Sequence, residues 1–240
     1  MTQGKSLTRG SLSKQLRALA DPLAAQQQAR FFKTAPGEYG EGDRFIGVRV
    51  PALRQLARQY AGLSIADMLS LLRSPIHEQR LLALLLLIRA YQKAAEPQQH
   101  QIYRNYLKNT RYINNWDLVD VSADKIMGDW LFHHVRDKPV LQQLAGSRDL
   151  WRRRIAVMAT FYFIRQHDFR PTLVLARTLR DDPHDLIHKA VGWMLREIGK
   201  RDMQLEKSFL DKHAVHMPRT MLRYAIEKFP PPLRQYYLQL

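Results

Sequence analysis

Trp116 and Asp120 lie four residues apart in the run Asn114-Asn115-Trp116-Asp117-Leu118-Val119-Asp120. In a helix both side chains share one face with Cβ atoms about 6 Å apart, which puts an aromatic wall beside a carboxylate. The same pair also reads as a core tryptophan with a surface or capping carboxylate. Farther along, Arg152, Arg153 and Arg154 open the run from Trp151 to Ala156. A guanidinium there would serve as a bidentate phosphate ligand, or as part of a solvated basic turn. Counting does not say which of the three would face a ligand. Trp193 follows Gly192 and sits among Val191, Met194 and Leu195. It suits a core, but exposed beside a basic surface it would stack on a base or sugar, or hold a cationic base over its face.

Other candidates are weaker. His184 and His188 have the spacing of a metal pair, yet no Glu follows the first His and no third ligand is evident, so no metal site is expected. His133-His134 is weaker still. Gly37, Gly40 and Gly42 lack a preceding strand and are read as loop geometry rather than a phosphate-binding fingerprint. The chain has no cysteine, which removes disulfides, thiolate zinc sites, iron–sulfur clusters and a Cys nucleophile together. No cofactor is expected.

The elements that must position these residues are helical. Strand signals are nearly absent, while apolar residues recur at three-and-four spacing almost throughout. Pro51, Pro75, Pro97, Pro139, Pro171, Pro183 and Pro218 sit at or near expected helix starts, and residues 34–50 form a glycine-rich ordered loop between the first two helices. Apolar helices are expected to begin near Gln79, Asn115, Trp151, Asp185 and Pro218, a recurrence of roughly 35 residues, close to the helix-pair repeats of solenoids. Shorter first helices are expected at 98–108, 139–145, 171–180 and 203–212. The expectation is an all-α solenoid of antiparallel helix pairs forming one domain over 1–240, with a core from about 12 to 230. Its longer second helices would line a concave basic groove able to hold a duplex.

Lys and Arg number 38 against 22 Asp and Glu, a formal net charge of +16 in 240 residues. Such a surplus draws polyanions without choosing among nucleic acid, anionic membrane and acidic protein. The longest apolar run, Leu81 to Ile88, is far short of the roughly 20 residues of a membrane span. With a polar N-terminus lacking a secretory signal, a soluble, cytoplasmic, monomeric protein with no membrane association is expected.

The runs Asn115 to Asp120, Trp151 to Ala156, Lys189 to Trp193 with Leu195-Arg196-Glu197, and Phe45 to Pro51 closely resemble the AlkD family of DNA alkylation repair glycosylases. The resemblance extends from about Ala29 to Phe229. It implies a solenoid of HEAT-like repeats that excises N3- and N7-alkylated purines from double-stranded DNA. It puts the family's catalytic aspartate on Asp120, its two groove tryptophans on Trp116 and Trp193, and its phosphate-side arginine on Arg154. A family aromatic, often tyrosine, matches Phe31, where the hydroxyl is missing. Further duplex contacts are expected from Arg30, Lys33, Arg49, Arg152, Lys189, Arg219 and Arg223, with Arg219 and Arg223 sharing a helix face.

Alkylation at N3 of adenine or N7 of guanine makes the base cationic and a good leaving group, so no general acid is needed. The departing base leaves an oxocarbenium-like sugar that a fixed carboxylate stabilises. Two rival readings use the same groove differently: a noncatalytic nucleic-acid-binding protein, or a scaffold for an acidic protein partner.

Overall fold

The computed structural model describes residues 7–240. The reading of a polar N-terminus without a secretory signal falls partly on residues 1–6, which lie outside the described residues. The chain is all-helical, and among the described residues the only β pairing is an isolated bridge between Arg44 and Ile76. No helix among them is long and apolar enough to cross a membrane. Two compact units divide the chain, residues 1–122 and 123–240.

The first unit contains α1 (Arg9–Ala18), α2 (Pro22–Phe31), α3 (Val50–Gln59), α4 (Ile65–Leu72), α5 (His77–Lys93), α6 (Glu96–Lys108) and nearly all of α7 (Trp116–Ala123). At its centre is α5. Leu81 to Ile88 are buried on every side of this helix, the pattern of a helix surrounded by others rather than one lying on a surface. Helices α3, α4 and α6 pack against it. Among the described residues two helices, not one, precede the glycine-rich loop. The break between them is Asp21-Pro22, where the Asp21 carboxylate accepts from the amides of Leu23 and Ala24 and Pro22 occupies the first turn of α2.

The second unit opens with a π-helical turn, Asp124–Gly128, which breaks the regular α-helix expected from Asn115 onward. It continues with α8 (Asp129–His133), α9 (Val140–Ala145), α10 (Leu150–Arg165), α11 (Arg170–Thr178), α12 (Asp185–Gly199), α13 (Met203–His213), α14 (Arg219–Ala225) and α15 (Pro231–Gln239). Short and long helices alternate from α9 to α12, with starts within two residues of those expected. The helices α10, α12 and α14 pack on one another in succession. Gly192 makes the last contact possible, because a Cβ there would lie 2.3 Å from the Met221 carbonyl oxygen.

Glu206, on α13, is 1% exposed and one carboxyl oxygen lacks a hydrogen-bond partner. Burial pushes its pKa up to about 9, against which the Arg196 guanidinium works only partly. The folded chain therefore holds a proton that the unfolded chain releases near 4.5, and stability falls as pH rises between those values. Glu206→Gln is expected to flatten this decline. The check is Tm at about pH 5 and about pH 8, with the drop smaller in the variant by several degrees; equal drops would show that Glu206 is not the titrating group.

Candidate functional site

In the first unit the glycine-rich loop delivers side chains from a distance. Residues 33–43 are a run of turns, after which Asp43, Phe45 and Gly47 meet the start of α5. The Glu78 carboxylate accepts from three consecutive loop amides, Ile46 (3.0 Å), Gly47 (2.8 Å) and Val48 (3.3 Å). From the other side, the Asp21 amide donates to the Ile46 carbonyl and the His77 amide to the Arg44 carbonyl. Gly47 has φ +83°, and a Cβ there would lie 2.0 Å from the Asp21 carbonyl oxygen, so only glycine fits.

Beside Glu78, the buried imidazole of His77 faces a carboxylate at each ring nitrogen. Nδ1 is 3.1 Å from Asp43 and Nε2 is 2.8 Å from Asp117. Asp43 also receives the Arg80 guanidinium at 2.6 Å and the Asn115 amide at 3.2 Å. Burial opposes ionisation of both His77 and Asp43, but their partners outweigh it. The hydrogen bonds to Asp117 and Asp43 raise the His77 pKa above the ordinary histidine value. Those from His77 and Asn115, together with the charge of Arg80, take Asp43 below the ordinary carboxylate value.

Above this network lies an aromatic layer. Phe45 stacks on the His77 ring at 4.5 Å and on Phe32 at 5.1 Å. Phe32 stacks in turn on Trp116 at 5.1 Å and 20°. Phe31 closes the layer, edge-on to Trp116 at 5.9 Å, with 66% of its own surface exposed. Trp116 opens α7, its amide capped by the Asn115 side chain at 2.9 Å, and Asp120 follows one turn later, half-buried. The structure thus sets Phe31 against Trp116, with Asp120 one turn farther along α7 in the same unit. Arg30, Lys33 and Arg49 are exposed in the same unit.

The second unit carries the remaining candidates. Of the three consecutive arginines, only Arg152 is exposed. Arg153 pairs with the buried Asp182 at 2.6 Å, and Arg154 is 4% exposed with its guanidinium donating to the Leu186 carbonyl. Trp193 is half-buried; its indole N–H donates to Glu197 at 3.3 Å and its ring lies 6.2 Å from Phe161. Lys189 pairs with Asp185 at 2.6 Å. Arg219 donates to the Leu238 carbonyl at 2.6 Å, and Arg223 is exposed on the same short helix. His184 uses Nδ1 to cap α12 at the Leu186 amide, and His188 bonds the Asp182 carbonyl. Among the described residues no three His, Asp or Glu side chains group as metal ligands.

Sequence reasoning missed Asp43, His77, Asp117, Phe32 and Phe45. His77 is 34 residues from Asp43 and 40 from Asp117, so no local spacing links them. The one available signal was a run of polar residues, His77 to Arg80, opening the helix that carries the longest apolar run in the chain.

The architecture defines a class: an all-helical protein whose longer helices carry aromatic, acidic and basic side chains near their starts. The family described as DNA alkylation repair enzyme matches residues 12–229, across both units, and the chain belongs to that family. Among solved structures the chain is similar to a predicted DNA alkylation repair enzyme from Enterococcus faecalis. That match has 17% identity and TM-score 0.70, covering 88% of this chain and 97% of the other. It is also similar to smu.31 from Streptococcus mutans UA159, at 16% identity and TM-score 0.54, covering 93% and 99%. At these identities the likeness concerns fold alone. No curated protein matches the chain.

Glu78→Ala leaves three loop amides without their acceptor and is expected to cost about 3 kcal/mol or more, whereas Glu78→Gln, which keeps one acceptor oxygen, is expected to cost about 1–2 kcal/mol. Urea unfolding of the two variants is the check. Equal losses would mean that the contact is steric rather than one of hydrogen bonding.

Proposed function

We propose that this member of the DNA alkylation repair family is a DNA glycosylase. It hydrolyses the N-glycosidic bond of cationic N3- and N7-alkylated purines in duplex DNA, as its resemblance to the AlkD family suggests. The observation that carries the reading is the placement of Trp116 and Asp120 one helical turn apart on α7, with the exposed Phe31 ring against the tryptophan.

The chemistry needs little from the protein beyond charge and position. Alkylation has already placed a positive charge on the base, so the C1′–N bond breaks with its electron pair going to the base, which leaves neutral. Positive charge then develops on the deoxyribose, where the Asp120 carboxylate stabilises it. Water adds to C1′ and gives up its proton to Asp120 or to solvent. By the resemblance, Trp116 of the first unit and Trp193 of the second are each assigned to the lesion nucleotide, whose positive charge an indole face attracts. Arg154 is assigned to the lesion strand through its backbone, and its bond to the Leu186 carbonyl would hold its guanidinium plane in place.

Exposed Arg30, Lys33, Arg49, Arg152 and Arg223 supply salt-dependent affinity for phosphates without reading sequence. Lys189 and Arg219 are assigned to the same duplex, although each already has a partner within the protein. The active species is assigned as a monomer.

The deciding test is release of 7-methylguanine or 3-methyladenine from methylated duplex by wild type and Asp120→Asn, with duplex binding measured in parallel. The expected outcome is release by wild type, a loss of at least about a hundredfold in the variant, and affinity changed less than about threefold. Binding without release by the wild type would leave a noncatalytic DNA-binding protein.

A further inference from the structure

The ring of His77 poses a proton-counting problem. Both ring nitrogens face carboxylate oxygens, Nδ1 toward Asp43 and Nε2 toward Asp117, and a carboxylate only accepts. A neutral imidazole has one N–H and satisfies one of these contacts; the imidazolium satisfies both. The charged groups facing the ring make the same demand. Asp43 comes from the loop and Asp117 from α7, whereas on α5 itself Arg80 pairs with Asp43 and Glu78 is occupied by the loop amides. With His77 protonated, two negative and two positive charges balance across Asp43, Asp117, His77 and Arg80.

The two carboxylates are not equally free to respond if the proton is lost. Asp43 is 3% exposed and is held by Arg80 and Asn115, whereas the Asp117 side chain is 17% exposed and sits in the first turn of α7. Asp117 directly follows Trp116 and precedes Asp120 by three residues. The ring also supports the layer under Trp116, through Phe45 at 4.5 Å and Phe32 at 5.0 Å. One side chain thus bonds a carboxylate in the first turn of α7 and adjoins the aromatic bed of its tryptophan.

We propose that His77 is a positioning residue: as an imidazolium between Asp43 and Asp117 it locks the first turn of α7, and so sets where Trp116 and Asp120 stand. Loss of its proton frees Asp117 to turn to water and loosens that turn, which makes the site sensitive to alkaline pH. The role in catalysis rests on the glycosylase reading; the lock itself does not. The upward direction of the His77 pKa agrees with it.

The experiment has two arms. In the free protein, nitrogen-15 spectra of the imidazole are expected to show both nitrogens protonated at neutral pH, and the Trp116 indole resonance to move with the same midpoint as His77 when pH is raised. A neutral His77 at neutral pH, or a Trp116 signal indifferent to its titration, overturns the proposal whether or not any base is excised. In the second arm, single-turnover release from methylated duplex is followed against pH. Wild type is expected to lose activity on an alkaline limb that matches the His77 midpoint. His77→Gln is expected to be slower at neutral pH by about tenfold to a hundredfold, with duplex affinity nearly unchanged and that limb gone. Asp117→Asn, which keeps the shape and removes one of the two charges holding the proton, is expected to shift the limb to lower pH; it also serves if His77→Gln does not fold. Release by wild type with a pH profile unaltered in both variants overturns the proposal and leaves the glycosylase reading standing. Absence of release by wild type overturns the glycosylase reading, and the spectra alone then decide on the lock.

Discussion

Burying an ionised side chain is tolerable only if its charge is answered locally, and the first unit is organised around that constraint. Asp43, His77, Asp117 and Arg80 join a loop, the start of α5 and the start of α7, three segments far apart in the chain. Each partner is needed by the next: Arg80 and Asn115 hold Asp43, Asp43 and Asp117 hold the imidazole, and the imidazole supports the phenylalanine layer on which Trp116 lies. Removal of Asp43, His77 or Arg80, each nearly fully buried, upsets the balance of charge there, so these segments hold their places together. The neighbouring Glu78 acts in the same way on backbone, drawing three loop amides to one carboxylate.

Positive charge in the second unit is used differently from what its abundance suggests. A formal surplus of +16 invites a picture of a uniformly available basic surface. Yet Arg153 is committed to Asp182, Arg154 to a backbone carbonyl of the neighbouring long helix, and Arg219 to the last turn of α15. Arg219 takes up a carbonyl in the last turn of α15, where intrahelical donors are missing, whereas Arg154 reaches a first-turn carbonyl of α12 and Arg153 a carboxylate. Arg152 and Arg223, by contrast, are exposed. Net charge therefore describes the attraction felt by a distant polyanion better than the number of contacts made at close range.

The family match establishes membership of the DNA alkylation repair family, and the likeness to helical neighbours at 16–17% identity bears on fold alone. Chemistry has to be argued from side chains. The strength of the local case is that a carboxylate and an indole on one helical face adjoin an exposed aromatic ring, which suits a reaction whose substrate already carries its positive charge.

The amino-acid sequence by itself determined the helical class, most helix starts and the pairing of Trp116 with Asp120. Helical periodicity, Pro and Asp caps and an i, i+4 spacing are local properties, written within a few residues of one another. Early helices were harder to read because the Asp21-Pro22 break falls within a polar stretch with little apolar patterning. Only the tertiary structure decided which of three adjacent arginines is exposed, that Phe31 and Phe32 belong with Trp116, and that His77 lies between two aspartates. Those facts depend on which segments pack together, and packing is set by the sum of many weak contacts across the chain rather than by any spacing along it.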